Sequence, residues 1–396
     1  MSEISFDTTN HRPTWAEIDL NALAANFHLV KERVGPEVKI MAVVKANAYG
    51  HGAVQCARRL EQEGADWFGV ALPEEGIELR NAGISNPILC LAGFWRGQAT
   101  ACLDRQLVPV VYRLEMIEEL ERAARERKIV ADVHVKVDTG MGRLGVRYDE
   151  VSPFASALKR FENIRVDGFI THFAAADEPS CEPLTADQIR RFENAVAAFR
   201  EQGFNPTFRH LANSAAIFSQ PAAWGNMVRP GGVLYGLWRD ILAPADRDPN
   251  FQPVMSVHSR ISLLKWVPQG ETVGYGCTFE ASRKTLVATI PIGYDDGYLR
   301  ALSNRGHAII RGMYATVIGR ISMDLTLIDV TNIPGVQVDD EVILIGQETK
   351  LSVTAEDIAK TAGTLSYEVT CGVSERVPRL YVSNRQDAGS VEKRKG

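Results

Sequence analysis

The chain has 396 residues, 45% hydrophobic and 23% charged, with a formal net charge of -5 at pH 7. It is too long for one ordinary domain and fits a barrel of roughly 200 to 250 residues followed by a second domain. The composition is that of a globular protein and excludes a disordered or fibrous chain, while the missing basic surplus argues against a nucleic-acid partner and for a small molecule.

The opening MSEISFDTTNHRPTW has neither a positive n-region nor an apolar core. No later run approaches the roughly 18 apolar residues of a membrane span, so a cytoplasmic protein with no membrane partner is expected. Cys56, Cys90, Cys102, Cys181, Cys277 and Cys371 are scattered without a C-x-x-C pair. Free thiols are expected, with no disulfide framework and no metal site.

Short apolar runs bounded by turn residues predict eight strands in order: KIMAVVKA (39–46), WFGVAL (67–72), PILCLA (87–92), LVPVVY (107–112), VHVKVDTG (133–140), VDGFITHF (166–173), TFRHLAN (207–213) and NMVRPGGVLYG (226–236). Amphipathic stretches such as AVQCARRLEQEG, EMIEELERAARERK and TADQIRRFENAVAAFREQG lie between them with helical spacing. Eight alternations of strand and helix predict an α/β chain whose first domain, over 15–242, is a (β/α)8 barrel. An open doubly wound sheet is the alternative, disfavoured because no G-x-G-x-x-G turn follows the first strand.

The polar, proline-containing APADRDPNFQP (243–253) reads as a linker. Beyond it VMSVHSRISLLKWV, TLVATIPIGY, HAIIRG, ATVIGRI, LTLIDV and EVILIG predict a mostly antiparallel β domain over 254–385. Only LSVTAEDIAKTAG (351–363) reads as helical there, with Ser352 or Thr354 as its cap. The charged end, 386–396, reads as a solvated tail.

Functional groups of such a barrel gather at the C-terminal ends of its strands. Lys45 falls at the end of the first, where a partly desolvated amine is a candidate to condense with an aldehyde cofactor. From that position alone, a lysine snorkelling from the rim is the simpler reading. Tyr49 and His51, flanked by Gly50 and Gly52, follow in a loop that could hold a phosphate or a ring. Strand five brings Lys136 and Asp138 to one face by the two-residue repeat. Arg143, in the glycine-punctuated loop beyond, could bind a carboxylate or form a rim ion pair. His172 ends strand six, His210, Asn213 and Ser214 end strand seven, and Arg229, Gly231 and Gly232 end strand eight. The loops after strands seven and eight are the usual phosphate site of these barrels, which suits Ser214, Gly231 and Gly232.

Taken together, AVVKANAYGHG, KVDTGMGRLG, THFAAADE, HLANSAA, MVRPGGVLYG, VGYGCTF, IPIGYDDG, GRISMD and LSYEVTCGVSERVPRLY resemble the bacterial alanine racemase family, from about Trp15 to Tyr381. The resemblance implies a barrel that binds pyridoxal 5'-phosphate (PLP), a following β domain and a homodimer with sites completed across its interface. It also implies that the first strand, near 13–19, packs with the C-terminal domain. By motif, Lys45 would hold PLP as an aldimine and act as the base at the D-alanine face, with Tyr275 of the partner subunit as the base at the L-alanine face. Tyr49, Ser214, Gly231, Gly232 and Tyr367 would hold the phosphate, Arg229 would face the pyridine nitrogen, and His172 would join the cofactor-binding set. Arg143 and the backbone of Met323 would bind substrate, and Lys136 matches a lysine carbamylated in several members.

Three departures leave the catalytic atoms in place: Cys277 stands where many relatives carry arginine, Ser322 where cysteine is frequent, and Gly232 where a bulkier residue is common. The implied reaction interconverts L- and D-alanine, supplying D-alanine for peptidoglycan or serving alanine catabolism. Alternatives are a racemase of the family that prefers serine or another amino acid, a PLP-dependent decarboxylase and a non-catalytic PLP carrier. Tyr367 weakens the first by filling the side-chain pocket. The decarboxylases place an acid where this chain has Arg229, and a carrier has no use for Tyr275.

Overall fold

The computed structural model describes residues 11–383, so the predicted tail over 386–396 lies outside the described residues. Two compact units form. One is Ala24–Gln252, and the other joins, among the described residues, 11–23 with 253–383.

In the first unit, eight parallel strands run in chain order around a nearly closed barrel: Lys39–Val43, Trp67–Val70, Ile88–Cys90, Leu107–Val111, Ala131–Asp138, Ile164–Ile170, Phe208–His210 and Met227–Val228. The eighth pairs with the first. Between the seventh and eighth, two backbone bonds span the gap, from Asn226 N–H to the Arg209 carbonyl (3.1 Å) and from Arg229 N–H to the Ala212 carbonyl (3.0 Å). Parallel neighbours need long crossovers, and helices such as Ala53–Gln62, Leu114–Arg127 and Glu182–Glu201 supply them.

Met41, Trp67, Leu89, Val110, Ile170 and Met227, from six of these strands, form one buried cluster. His134 and Phe208, from the other two, pack on Trp67 with ring centroids 5.4 and 5.2 Å away. The interior is therefore a packed core, and a ligand has room only at the mouth.

Several strands are shorter than their apolar runs. The first ends at Val43, so Lys45 opens the next segment instead of closing the strand. The eighth is only Met227–Val228, because Pro230 has no N–H for the ladder, and Gly232–Tyr235 is a single 3-10 turn.

The second unit holds a ten-stranded sheet and a separate two-stranded hairpin. Thr14–Asp19 lies inside that sheet, antiparallel to Met255–Arg260 and parallel to Arg379–Val382. Trp15 stacks on His258 at 5.3 Å. Among the described residues the other pairings of the sheet are antiparallel.

Near the end, Leu351–Val353 is a strand, so the predicted helix starts only at Ala355. Thr354 caps it: its hydroxyl accepts from Asp357 N–H at 3.1 Å, and the Asp357 carboxylate accepts from Thr354 N–H at 3.0 Å. A further helix, Ser366–Gly372, is missing from the predicted elements, since seven residues are too few to show a period. Among the described residues no helix is long and apolar enough to cross a membrane.

Candidate active site

Lys45 begins a turn of opposite hand to an ordinary helix. Ala46, Asn47, Ala48 and Tyr49 have φ of +52°, +53°, +54° and +54°. A left-handed residue other than glycine costs about 1–2 kcal/mol, so four in a row persist only under restraint from their surroundings. The Glu75 carboxylate accepts the Ala46 N–H at 2.6 Å, and the Asn47 side chain accepts the Ala53 N–H at 2.7 Å. His51 is fully buried, and its Nδ1 lies 2.9 Å from the Ala48 carbonyl and 3.0 Å from that of Tyr49. The imidazole thus braces the turn from beneath, a structural use of a residue that the sequence offered as a ligand candidate.

The turn brings Tyr49 to the far side of the barrel seam. Its ring packs on Tyr235 at 5.0 Å. A Cβ on Gly231 would come within 2.5 Å of the Tyr49 hydroxyl oxygen, so only glycine admits the tyrosine there. Gly231 N–H donates to the Ser214 hydroxyl at 2.9 Å. The buried Gly232 N–H has no acceptor among the described residues, a state buried backbone donors rarely keep. Tyr49, Ser214, Gly231 and Gly232 therefore make one cradle of donors at the ends of strands one, seven and eight. Asn213 lies outside it as a helix cap, its side chain accepting the Ala216 N–H at 3.0 Å.

Arg229 is the fixed cation of the mouth. It is buried, and its two Nη atoms donate to the carbonyls of His210 (2.6 Å), Thr171 (2.8 Å) and Leu211 (3.0 Å). Burial pulls its pKa down, while three carbonyl acceptors favour the guanidinium. An arginine does not release its proton in a protein. His172 Nδ1 is 3.4 Å from Arg229 Nη2. Burial first, then the charges of Arg229, Lys136, Arg143 and Lys45, hold His172 well below the usual histidine range. His210 and His134, linked by 2.8 Å between ring nitrogens, are kept neutral mainly by burial. Burial, Arg229, Arg143 and Lys45 also bring Lys136 down to about 8. Four cationic side chains thus act on one another at one mouth, an arrangement that calls for an anionic ligand.

Arg143 reaches this mouth on a loop that Asp138 shapes. The Asp138 carboxylate accepts the N–H groups of Gly140 and Gly142, each at 3.0 Å. Lys136, Asp138, Arg143, Thr171 and His172 line one narrow cleft. Gln188, fully buried, ties the floor together. Its amide donates to the Thr139 hydroxyl and the His172 carbonyl, both at 3.1 Å, and accepts the Ala174 N–H at 3.0 Å.

Tyr275, Met323 and Tyr367 belong to the other unit. Tyr275 sits at the tip of the hairpin Thr272–Val273 and Phe279–Glu280, with its side chain 72% exposed. The hairpin is rooted by packing among Val267, Val273, Ala281, Val287 and Ile318. Met323 is half-exposed on a turn where Ser322 N–H meets the Leu325 carbonyl at 3.0 Å. Tyr367 is half-buried on the helix Ser366–Gly372.

Sequence reasoning did not single out His134, Gln188, Glu75 or Tyr235. His134 was within reach, because it precedes Lys136 and Asp138 in the same two-residue series. Gln188 and Glu75 sit in amphipathic helices, where a polar residue that turns inward leaves no mark in the pattern.

Residues 18–238 match the model of the alanine racemase N-terminal domain, and residues 254–381 match that of its C-terminal domain. The alanine racemase of Citrifermentans bemidjiense is 45% identical over 379 residues, covering 94% of this chain and 99% of the relative. That of Halothermothrix orenii is 45% identical over 372 residues, covering 93% and 97%. Among solved structures, the alanine racemase of Clostridium difficile superimposes with a TM-score of 0.89 at 37% identity, covering 97% of this chain and 98% of that one. The Bacillus anthracis alanine racemase with bound L-Ala-P gives 0.88 at 31% identity, covering 96% and 97%. Matches of this length and identity over both units place the chain in the alanine racemase family.

Proposed function

We propose that the chain interconverts L- and D-alanine with PLP as its cofactor, as a homodimer in which each subunit completes the other's site. The observation that carries this reading is the mouth of the barrel, where Lys45, Lys136, Arg143 and Arg229 gather beside the cradle of Tyr49, Ser214, Gly231 and Gly232. The residues suit each part of PLP: a lysine for the aldehyde, a cradle with an unused buried N–H for the phosphate, and an unyielding cation for the pyridine nitrogen. His172, held neutral beside Arg229, belongs to the same set.

Bound PLP supplies an electron sink for the pair left on the substrate α-carbon when its proton departs. The chain's own groups choose the bond and move the proton. Racemisation needs one acid/base group on each face, and Lys45 and Tyr275 of the partner subunit fill these places, lysine at the D-alanine face and tyrosine at the L-alanine face. Arg143 and the N–H of Met323 of the partner subunit hold the carboxylate. Arg229 would hold the ring nitrogen of bound PLP as a donor that keeps its proton, which would weaken the electron sink and disfavour side reactions. Lys136, whose amine burial and the cations Arg229, Arg143 and Lys45 make easier to deprotonate, suits carbamate formation with carbon dioxide, and a carbamate there would face the Arg143 guanidinium.

A methyl group on Gly231 would displace the Tyr49 hydroxyl. Gly231→Ala is therefore expected to weaken PLP binding by about tenfold, equivalent to about 1.4 kcal/mol. Titration of the apoenzyme followed by absorbance reads this, and unchanged affinity removes Tyr49 from the phosphate cradle. The substrate assignment is tested by racemisation assays with alanine, serine and lysine. Alanine should give the highest kcat/KM, and a higher value for lysine rejects it.

A further inference from the structure

We propose that Arg376 is a positioning residue that fixes the Met323 N–H for the substrate carboxylate, an inference that rests on the reading of Met323 given above. The Met323 N–H makes no hydrogen bond among the described residues, although the carbonyl of the same residue is engaged, accepting from Asp295 N–H at 3.1 Å. Tyr294 N–H binds the Ser322 carbonyl at 3.0 Å beside it. The loop 293–297 thus lies flat against the turn 322–325, and Gly293 makes that approach possible: a Cβ there would stand 2.2 Å from the Met323 carbonyl oxygen.

Ser322 closes the turn on itself, its N–H and hydroxyl donating to the Leu325 carbonyl at 3.0 and 2.8 Å, while the two backbone bonds join only one edge of the turn to the loop. Arg376 supplies the second attachment. Its guanidinium pairs with Asp295 in the loop, with Asp324 in the turn at 2.7 Å, and with Asp296 at 3.5 Å. Asp296 is the buried anchor of this group, accepting the Gly293 N–H at 2.9 Å and pairing with Arg12 through both carboxylate oxygens. One cation therefore ties together the residue that binds the Met323 carbonyl and the residue that follows Met323.

Removing Arg376 has two consequences of the same sign. The loop and the turn lose their bridge, so the N–H is less well aimed. Asp295 and Asp324 also lose their countercharge next to the place where a carboxylate has to bind, and like charges at such distances repel. The substrate carboxylate keeps its charge throughout the reaction, so contacts to it stabilise ground and transition states alike. Weakening them raises KM and leaves kcat in place.

In the PLP-loaded dimer, Arg376→Gln should raise KM for alanine about tenfold with kcat changed less than about twofold. The Kd for propionate, the substrate without its amino group, should rise by a similar factor when titrated calorimetrically. Arg376→Lys should recover part of the loss, since it keeps the charge but not the fork that reaches several carboxylates. If Arg376→Gln folds poorly, Arg376→Lys alone serves, with KM expected to rise a few-fold above the native value. Unchanged KM and propionate affinity in a folded variant, or a fall in kcat at constant KM, overturns the proposal. Met323→Pro separates the two levels. If it leaves KM unchanged, the Met323 reading fails; if it raises KM while Arg376→Gln does not, that reading stands and the role of Arg376 falls.

Discussion

Lys45→Ala is expected to lower the racemisation rate by at least about 10⁴-fold, the upper range for loss of a positioned acid/base group, with loss of the cofactor attachment in addition. The amine lies at the start of the left-handed turn, at the same mouth as Lys136, Arg143 and Arg229. The fold should survive, because the restraints on the turn come from Glu75, Asn47 and His51 and not from the Lys45 side chain. Borohydride reduction followed by peptide mass spectrometry gives an independent readout. The native chain should carry the label on the peptide containing Lys45, and the variant should carry none. A labelled peptide from elsewhere, or activity close to native, would remove Lys45 from the centre of the site.

Tyr275→Phe is expected to lower kcat/KM for racemisation by about 10²–10⁴-fold. The ring stays and only the hydroxyl is lost, so the hairpin and its apolar root are untouched. The absorbance of bound PLP should therefore remain that of the native enzyme. The two faces should also separate. In heavy water the variant should still exchange the α-proton of D-alanine through Lys45, while exchange from L-alanine should fall with racemisation. Native activity, or equal loss of exchange from both enantiomers, defeats the two-base assignment.

Much of the site was legible because a parallel barrel imposes order on its sequence. Strand ends must face one mouth, so Lys136, Arg143, His172, Ser214, Arg229, Gly231 and Gly232 could be collected by where they fall after each apolar run. The cation effects on His172 and Lys136 display the company of Lys45, Lys136, Arg143, His172 and Arg229 at one place. Roles were less legible than locations. His51, in a loop the sequence offered as a holder of a phosphate or a ring, braces a turn, and Asn213, at the end of strand seven, caps a helix. Arg376 stands in one of the motifs that carry the resemblance, but nothing local marks its role. Its partners Asp295, Asp296 and Asp324 are 81, 80 and 52 positions away, and a pairing at that range is invisible to local pattern.

The sequence by itself determined the alternation of eight strands and helices, the change to a β domain near residue 254, and the motifs that carry the family resemblance. These are periodic or contiguous features, and local physics writes them directly into residue order. Only the tertiary structure decided how Lys45 is presented. Ala46 and Ala48 have no preference for positive φ, and they hold it because Glu75 and Asn47 bind the backbone around them. The tertiary structure also decided the partners of Thr14–Asp19. The family resemblance implied only that this strand packs with the C-terminal domain, and the choice of Met255–Arg260 and Arg379–Val382 as neighbours is made by ladders closed across more than 200 residues. Strand propensity is local and strand pairing is not, so the lysine and its motif could be read from the chain, whereas the strained turn that aims the lysine could not.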